Sequence, residues 1–279
     1  MTKHKLIIGS CAKMKEIRNE QVHLMVTSPP YFNAPFDYKK LYSDYEEYLT
    51  ILKSFAGETY RVLQEGRIAV LNIDDMLVDG EKFPIVADAI KIFQEAGFRY
   101  RDRIIWKKPD GYIRISRRSG VILQNPYPMY FYPDNFLESI IIFQKGRFDY
   151  KSISKEVKQE SQIDKHEFQT KGWYKTLWEI TNVLPGSVLE KNVAAFPEEL
   201  PYRIIKLFSY KDETVLDPFA GSGTTMKIAR NLGRNSIGIE IKKQLIPIIK
   251  EKMGFGNSQS MFSNNSDTFE VVIRGKNGN

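Results

Sequence analysis

The stretch GRIAVLNI, residues 66–73, reads as a strand that is apolar on both faces. Such a strand needs cover above and below, which points to a parallel sheet flanked by helices rather than a sheet with one wet face. Its surroundings agree. KLIIGS and VHLMVTS precede it as strands. A helix is expected from about Ser43 to Leu63, with Ser43 as its cap and Glu46 three residues on. A second, from about Phe83 to Ala96, ends at Gly97, the residue type that closes a helix most easily. YRDRIIWKK and LESIIIFQKG are two further strands, separated by a Pro/Tyr/Arg-rich excursion over 109–136. FPEELPYRIIKLFS then reads as a helix, ETVLDP as a strand, SGTTMKIARNLG as a helix and SIGIE as a strand. A helix over 242–253, an Asn/Ser-rich linker (256–266) and a strand-like run, TFEVVIRG, complete the pattern. Strands alternating with helices predict a mainly parallel α/β sheet with helices on both faces.

One α/β domain is expected over 1–254, with a tail over 255–279 that holds the last strand-like run. Residues 149–172 are highly polar with few apolar anchors, so they read as a surface insertion rather than a core element. A single cysteine, Cys11, excludes an internal disulfide and a Cys-based zinc site, and three scattered histidines argue against a His/Cys cluster. No metal is expected. The N-terminal apolar stretch is too short for a signal-peptide core, and no run approaches a membrane span, so a cytoplasmic protein is expected. The 41 Lys and Arg against 34 acidic residues give a net charge of +7, compatible with a polyanionic partner.

Two turns carry chemistry. The first is VTSPPYFN (26–33), at the end of the strand VHLMVT. Neither Pro29 nor Pro30 can donate a backbone hydrogen bond, so the ladder stops there. An isolated Pro-Pro pair would read simply as a rigid loop at a sheet edge.

The second is VLDPFAGSGTT (215–225), a strand, a glycine-bearing turn and the start of a helix. Ligands of open α/β sheets bind beyond the carboxyl ends of strands, where this turn lies. Gly221 and Gly223 let the backbone approach a ligand, and free N–H groups near Ser222 can meet a negative group. A P-loop wants Lys and then Ser or Thr after its second glycine, whereas Gly223 is followed by Thr224-Thr225. A nicotinamide site wants G-x-G-x-x-G, and only G-x-G is present. Adenosylmethionine sites also use a glycine turn, with an acidic residue ending the next strand. SIGIE supplies Glu240 there, able to accept from both ribose hydroxyls; the plain alternative is a solvated strand end or a helix cap.

TSPPY and DPFAGSGTT in one chain, with FPEELPYRII just before the second, resemble the DNA amino-methyltransferases, which use S-adenosylmethionine to methylate exocyclic amines of cytosine or adenine. The Ser-Pro-Pro-Tyr block comes first here, which resembles the permuted β class. The likeness covers roughly residues 5–147 and 173–254. It implies a Rossmann-like, mostly parallel methyltransferase sheet with one antiparallel hairpin, circularly permuted motif order and a polar insertion. By the resemblance, Ser28, Pro29, Pro30 and Tyr31 match the catalytic block. Asp217, Pro218, Phe219, Ala220, Gly221, Ser222, Gly223 and Thr224 fall in the cofactor block, and Glu240 matches the ribose-binding acid. Phe196 and Pro197 match the segment beside the cofactor's methionine end. Where many members have Gly-Asp this chain has Gly9-Ser10, so Ser10 stands at that cofactor position. Asn192 falls near the place of a frequent His.

The chemistry suits these residues. An exocyclic amine is a poor nucleophile because its lone pair is delocalised into the ring. Ser28 Oγ and the Pro29 carbonyl can accept its two N–H groups, and the Pro-Pro turn presents carbonyls without a competing donor. Tyr31 can stack on the base, which must leave the duplex; Phe32 and Phe36 are candidates for the same pocket or for plain core packing. Ring-carbon methylation would need an attacking cysteine, usually after proline, and Cys11 follows Ser10, so no covalent nucleophile is expected. In this family Ser at the first position tends to accompany cytosine-N4 methylation, and Asp adenine-N6. The expected activity is a site-specific, cytosine-N4-specific DNA methyltransferase. Its rivals are an adenine-N6 enzyme, the same fold acting on RNA or a protein amide, and a catalytically silent nucleic-acid-binding module. Lys107, Lys108, Arg114, Arg117 and Arg118, interleaved with aromatics, are the candidate DNA contacts, and two recognition excursions are expected, over about 107–136 and 148–176. The implied partners are double-stranded DNA, a cognate restriction endonuclease and a second copy of the chain.

Overall fold

The computed structural model describes residues 1–33, 41–109, 124–129, 131, 133, 136–181, 196–256 and 267–275. Its first half runs β1 (Lys3–Ile8), β2 (Val22–Thr27), α1 (Tyr45–Val62), β3 (Leu63–Ile73), a small hairpin of β4 (Met76–Val78) and β5 (Glu81–Phe83), α2 (Ile85–Glu95) and β6 (Arg99–Lys107). Then come β7 (Leu137–Gln144), two short helices, α3 (Lys155–Glu160) and α4 (Lys165–Thr170), and β8 (Leu177–Glu179). The last part holds α5 (Glu199–Phe208), β9 (Thr214–Asp217), α6 (Thr224–Asn231), β10 (Asn235–Glu240), α7 (Ile246–Lys252) and β11 (Thr268–Ile273).

Among the described residues nine strands form one sheet, in the order β11-β1-β10-β9-β2-β3-β7-β6-β8. Every neighbouring pair is parallel except the two made by β7. The strands of the two chemical turns, β2 and β9, lie side by side at the centre, although far apart in the chain. The connection after β2 leads outward to β3, and the one after β9 leads the other way, to β10. That divergence is the switch point at which open α/β sheets leave a crevice.

The predicted cover on both faces follows from the period-2 alternation of strand side chains. Met25, Ala69, Leu71, Ile141 and Phe143 point to a core built with α1 and α2. Their neighbours Leu24, Val26, Val70, Ile140 and Ile142 point to the opposite core, with α5 and α6. A third cluster lies under α7, where Leu6 and Ile8 meet Met226 and Ile249.

Some local expectations shift. The first long helix is capped by Asp44, not Ser43: the Asp44 side chain accepts from Glu47 N, and Glu47 reaches back to Ser43 N at 2.7 Å. Asp and Ser are comparable caps, so the neighbouring pair was ambiguous from sequence. The second helix begins at Ile85, because Phe83 is used by β5. The polar stretch 149–172 holds two short helices with no buried residues, each capped by a side chain, Ser154 and Asp164. β8, which follows it and pairs with the outer side of β6, had no sequence expectation. The strand-like run at the C-terminus is β11, paired with β1 over its length.

His4 and His23 are held neutral inside this frame. The His4 ring nitrogens lie 2.8 Å from Thr2 Oγ1 and 2.8 Å from Ser236 Oγ. Burial, helped by Arg230, pushes its pKa down to about 4; burial, helped by Arg67, does the same to His23, also to about 4. Unfolded histidines titrate near ~6.5. Between those values the unfolded chain binds more protons than the folded one, so stability is full above about pH 6.5 and falls as the pH drops towards 4. Urea midpoints at pH 7.5 and pH 5 should therefore differ, with the lower at pH 5. His4→Gln should flatten that slope, and an unchanged slope in the variant would remove His4 from the account.

Candidate active site

The carboxyl ends of β1, β10, β9, β2 and β3 all reach one edge of the sheet. β7 runs the other way, so its amino end reaches the same edge. Both predicted turns and their acids therefore meet there.

On the cofactor side, Glu240 ends β10 directly beside β1, where Gly9 N donates to its carbonyl at 2.9 Å. The Glu240 carboxylate bridges two loops: Oε2 accepts from Gly221 N at 2.9 Å and Oε1 from Lys242 N at 2.8 Å. Burial raises its pKa, and those two backbone N–H groups oppose the rise. An ionised carboxylate offers roughly four acceptor sites. With one taken on each oxygen, each keeps a lone pair for one of two neighbouring hydroxyls, which fits the ribose of S-adenosylmethionine. Gly223 caps α6 at φ 83°, where a Cβ would meet Ile249 Cγ2 at 3.0 Å. The positive φ favours glycine there, and a Cβ would also crowd Ile249.

The other cofactor-block residues divide by direction. Pro218 and Ala220 are buried, and Phe219 packs edge-on against Phe55. The Ser222 and Thr224 hydroxyls are both engaged by Lys252 Nζ, at 2.8 and 3.0 Å, and are buried. Ser10 is exposed; its carbonyl accepts from Arg274 Nη1 at 2.5 Å, and the Arg274 guanidinium also grips Glu16. A Cβ on residue 9 would sit 2.5 Å from Arg274 Cδ, so a larger residue there would displace the Arg274 side chain. Phe196 is half-buried against the second core, ahead of α5.

Asp217 is nearly inaccessible, at 2% exposure. Its Oδ1 accepts from Thr27 Oγ1 at 2.6 Å and from Phe219 N at 3.1 Å. Burial raises its pKa and the Thr27 hydrogen bond works against that. Thr27 immediately precedes Ser28, so this bond fastens one chemical turn to the other.

Around the Ser-Pro-Pro-Tyr turn, Pro29 is buried while Ser28, Pro30 and Tyr31 keep partial exposure. Tyr31 donates its hydroxyl to Glu138 Oε2 at 2.9 Å. Burial, then the neighbouring Glu138 and Asp74 carboxylates, hold this phenol well above its ordinary pKa, so it stays a donor. Asn72 Nδ2 donates to the same Glu138 oxygen at 2.6 Å and lies 3.5 Å from Ser28 Oγ. Lys108, expected on the DNA-facing surface, turns inward: its Nζ is 2.5 Å from Glu138 Oε1 and sits over Trp106. Lys107 reaches outward to Glu179 on β8, at 3.3 Å. Arg114, Arg117, Arg118, Phe36 and Asn192 lie outside the described residues. Phe32 is core, enclosed by Tyr42, Tyr45, Tyr48 and Phe83.

Sequence reasoning missed Asn72 and Glu138. The signal was present: an amide within the apolar run GRIAVLNI, and a carboxylate at the head of the apolar run IIIF. Both are nevertheless buried. Cys11 is buried beside Ser10, and burial pushes its thiol up to about 12, far from a thiolate nucleophile.

Comparison with known proteins places the chain in a family. Residues 22–251 match a family of DNA methylases that modify N6 and N4 amines. The chain is 36% identical to the Type II methyltransferase M.MjaI of Methanocaldococcus jannaschii, over 91% of this chain and 92% of that protein. It is 29% identical to the Type II methyltransferase M.MthZI of Methanothermobacter thermautotrophicus, over 98% and 80%. Among solved structures, a DNA modification methylase of Thermus thermophilus, complexed with S-adenosyl-L-methionine and described as putative, superposes with a TM-score of 0.73 at 27% identity, covering 95% of this chain and 99% of that one. The cytosine-N4-specific PvuII DNA methyltransferase shares the fold, with a TM-score of 0.65 at 20% identity over 90% and 87%.

The tie between the two turns can be tested alone. Thr27→Val keeps the shape and removes the donor to Asp217, leaving a buried acceptor short of a partner, which costs about 1–3 kcal/mol. Chemical denaturation should show that loss, and Thr27→Ser should recover most of it. Equal stability of all three proteins would show that the bond carries no weight.

Proposed function

The chain belongs to the family of S-adenosylmethionine-dependent DNA methylases that act on N6 and N4 amines, and on that premise we propose that it methylates the exocyclic N4 amine of cytosine in double-stranded DNA. The observation that carries the cytosine reading is Ser28 at the head of the Ser-Pro-Pro-Tyr turn, where adenine-N6 members tend to have Asp. S-adenosylmethionine supplies a methyl group activated on a sulfonium sulfur. Everything else in the reaction falls to the protein.

Ser28 Oγ and the Pro29 carbonyl accept the two N–H groups of the target amine, which localises the nitrogen lone pair and directs it along the line of transfer. The rigid Pro-Pro turn keeps those acceptors in place, and transfer between held groups depends strongly on position. Tyr31 closes one side of the pocket with its ring while its hydroxyl is anchored on Glu138. On the cofactor side the proposed holders are Glu240 for the ribose hydroxyls, the Gly221–Gly223 turn for close backbone approach, and Ser10, Phe196 and Phe219 around it. Asp217 supports both halves from beneath through Thr27. The target base leaves the duplex to reach the pocket, an unstacking that costs a few kcal/mol and is offset by contacts in the site. Lys107, the last residue of β6, and the arginines at 114, 117 and 118 that follow it in the chain are the proposed phosphate and base-edge contacts.

The deciding experiment incubates unmethylated genomic DNA with methyl-labelled S-adenosylmethionine, digests it to nucleosides and resolves the products by mass. Label in N4-methylcytosine is the expected outcome; label in N6-methyladenine would overturn the reading of Ser28 while leaving the pocket intact. Two variants separate the halves of the site. Ser28→Ala should bind the cofactor as tightly as the parent and lose at least about 100-fold in turnover, by analogy with removal of other preorganised groups. Gly221→Leu should abolish cofactor binding in a titration, and unchanged affinity would refute the placement of the cofactor against this turn.

A further inference from the structure

Asn72 is 2% exposed, and its Oδ1 has no hydrogen-bond partner among the described residues. Buried side-chain acceptors without a donor are rare in folded proteins, and each asks for an explanation. The orientation of this carboxamide is fixed by its surroundings. Glu138 Oε1 takes Lys108 Nζ at 2.5 Å, and Oε2 takes Tyr31 Oη at 2.9 Å together with Asn72 Nδ2 at 2.6 Å. An ionised carboxylate only accepts, so the Asn72 amide must present its NH2 end to Glu138. Turning the amide over would set two acceptors against each other. The oxygen is therefore the end left open, in a side chain whose Nδ2 is 3.5 Å from Ser28 Oγ.

We infer that Asn72 Oδ1 shares one N–H of the target amino group with Ser28 Oγ, the Pro29 carbonyl taking the other, and that Glu138 is the positioning residue that holds Asn72 so. The inference rests on the methyltransferase reading above. A ligand that satisfies a buried acceptor beside Ser28 brings an N–H or O–H donor, and the methyltransferase reading places the amine to be methylated there. As the amine takes the methyl group and the sulfur departs as a neutral thioether, positive charge grows on that nitrogen and its N–H groups become stronger donors, until one of the two protons leaves to solvent and the neutral methylated amine remains. An acceptor already fixed in place strengthens its contact as this happens, so its effect belongs mainly to the transition state. Tyr31, Asn72 and Lys108 come from three separate segments. Among the described residues, Glu138 touches all of them.

The test uses the full chain and a duplex carrying its methylated site, located first by sequencing DNA that the enzyme has modified. Asn72→Leu should lower the single-turnover rate about 100-fold while S-adenosylmethionine affinity stays within about twofold. In a competition, the parent enzyme should prefer the normal duplex to one in which the target base lacks its exocyclic amine (2-pyrimidinone for cytosine, purine for adenine). Asn72→Leu should narrow that preference by roughly fivefold, the size of one hydrogen bond. Glu138→Gln should reduce the rate without raising the KM for the cofactor, and Glu138→Leu should reduce it further, the conservative change recovering part of the loss. If Asn72→Leu does not fold, the Glu138→Gln rate and its duplex preference decide. An Asn72→Leu rate within about threefold of the parent overturns the inference, as does an unchanged preference for the amine. A parent enzyme that methylates no DNA defeats the proposed function instead.

Discussion

The hydrogen bond from Thr27 to Asp217 joins two parts of the chain that are 190 residues apart. It sits where the sheet has least to hold it. The central strands β2 and β9 share only two register pairs, Leu24 with Val215 and Met25 with Leu216; beyond them β2 runs on to Thr27 paired with β3, and β9 to Asp217 paired with β10, before the turns begin. Without a fixed point at that edge, the Ser-Pro-Pro-Tyr turn and the glycine turn would each follow its own strand. A donor from β2 and a buried acceptor at the end of β9 set their separation.

The direction of β7 matters as much as the position of β2. Every other pairing in the sheet is parallel, and a ninth parallel strand would bring only another carboxyl end to the active edge. Running antiparallel between β3 and β6, β7 delivers its amino end, and with it Glu138. The same hairpin geometry places Lys108, at the end of β6, against that carboxylate. A positive residue that would read as a phosphate contact is thereby turned inward onto a carboxylate. Its neighbour Lys107 faces the other way, towards Glu179, because successive strand residues alternate between faces.

The local signals were legible wherever one physical rule governed them. Apolar runs such as GRIAVLNI became strands, Gly97 ended a helix, and both chemical turns fell at strand ends, because burial and backbone restriction act over a few residues. The helix cap was displaced by one residue, from Ser43 to Asp44, where two adjacent side chains satisfy the same rule. β8 escaped notice because three residues carry no periodicity, and only pairing with β6 makes them a strand. Asn72 and Glu138 were hidden for another reason. A polar residue in an apolar run looks like an exception until its partner is known, and each is the other's partner across the β3–β7 pair.

The sequence by itself determined the kind of fold and the place of the two turns at strand ends, because prolines, glycines and apolar runs act through backbone restriction and burial over a few residues. Tertiary structure alone decided which side chains face one another. It turned Asp217 into a tie for Thr27, closed Ser222 and Thr224 onto Lys252, and drew Lys108 inward to Glu138. Hydrogen bonds and ion pairs act over about 3 Å, and which residues come within that distance is set by the order and direction of strands in the sheet, not by their order in the chain.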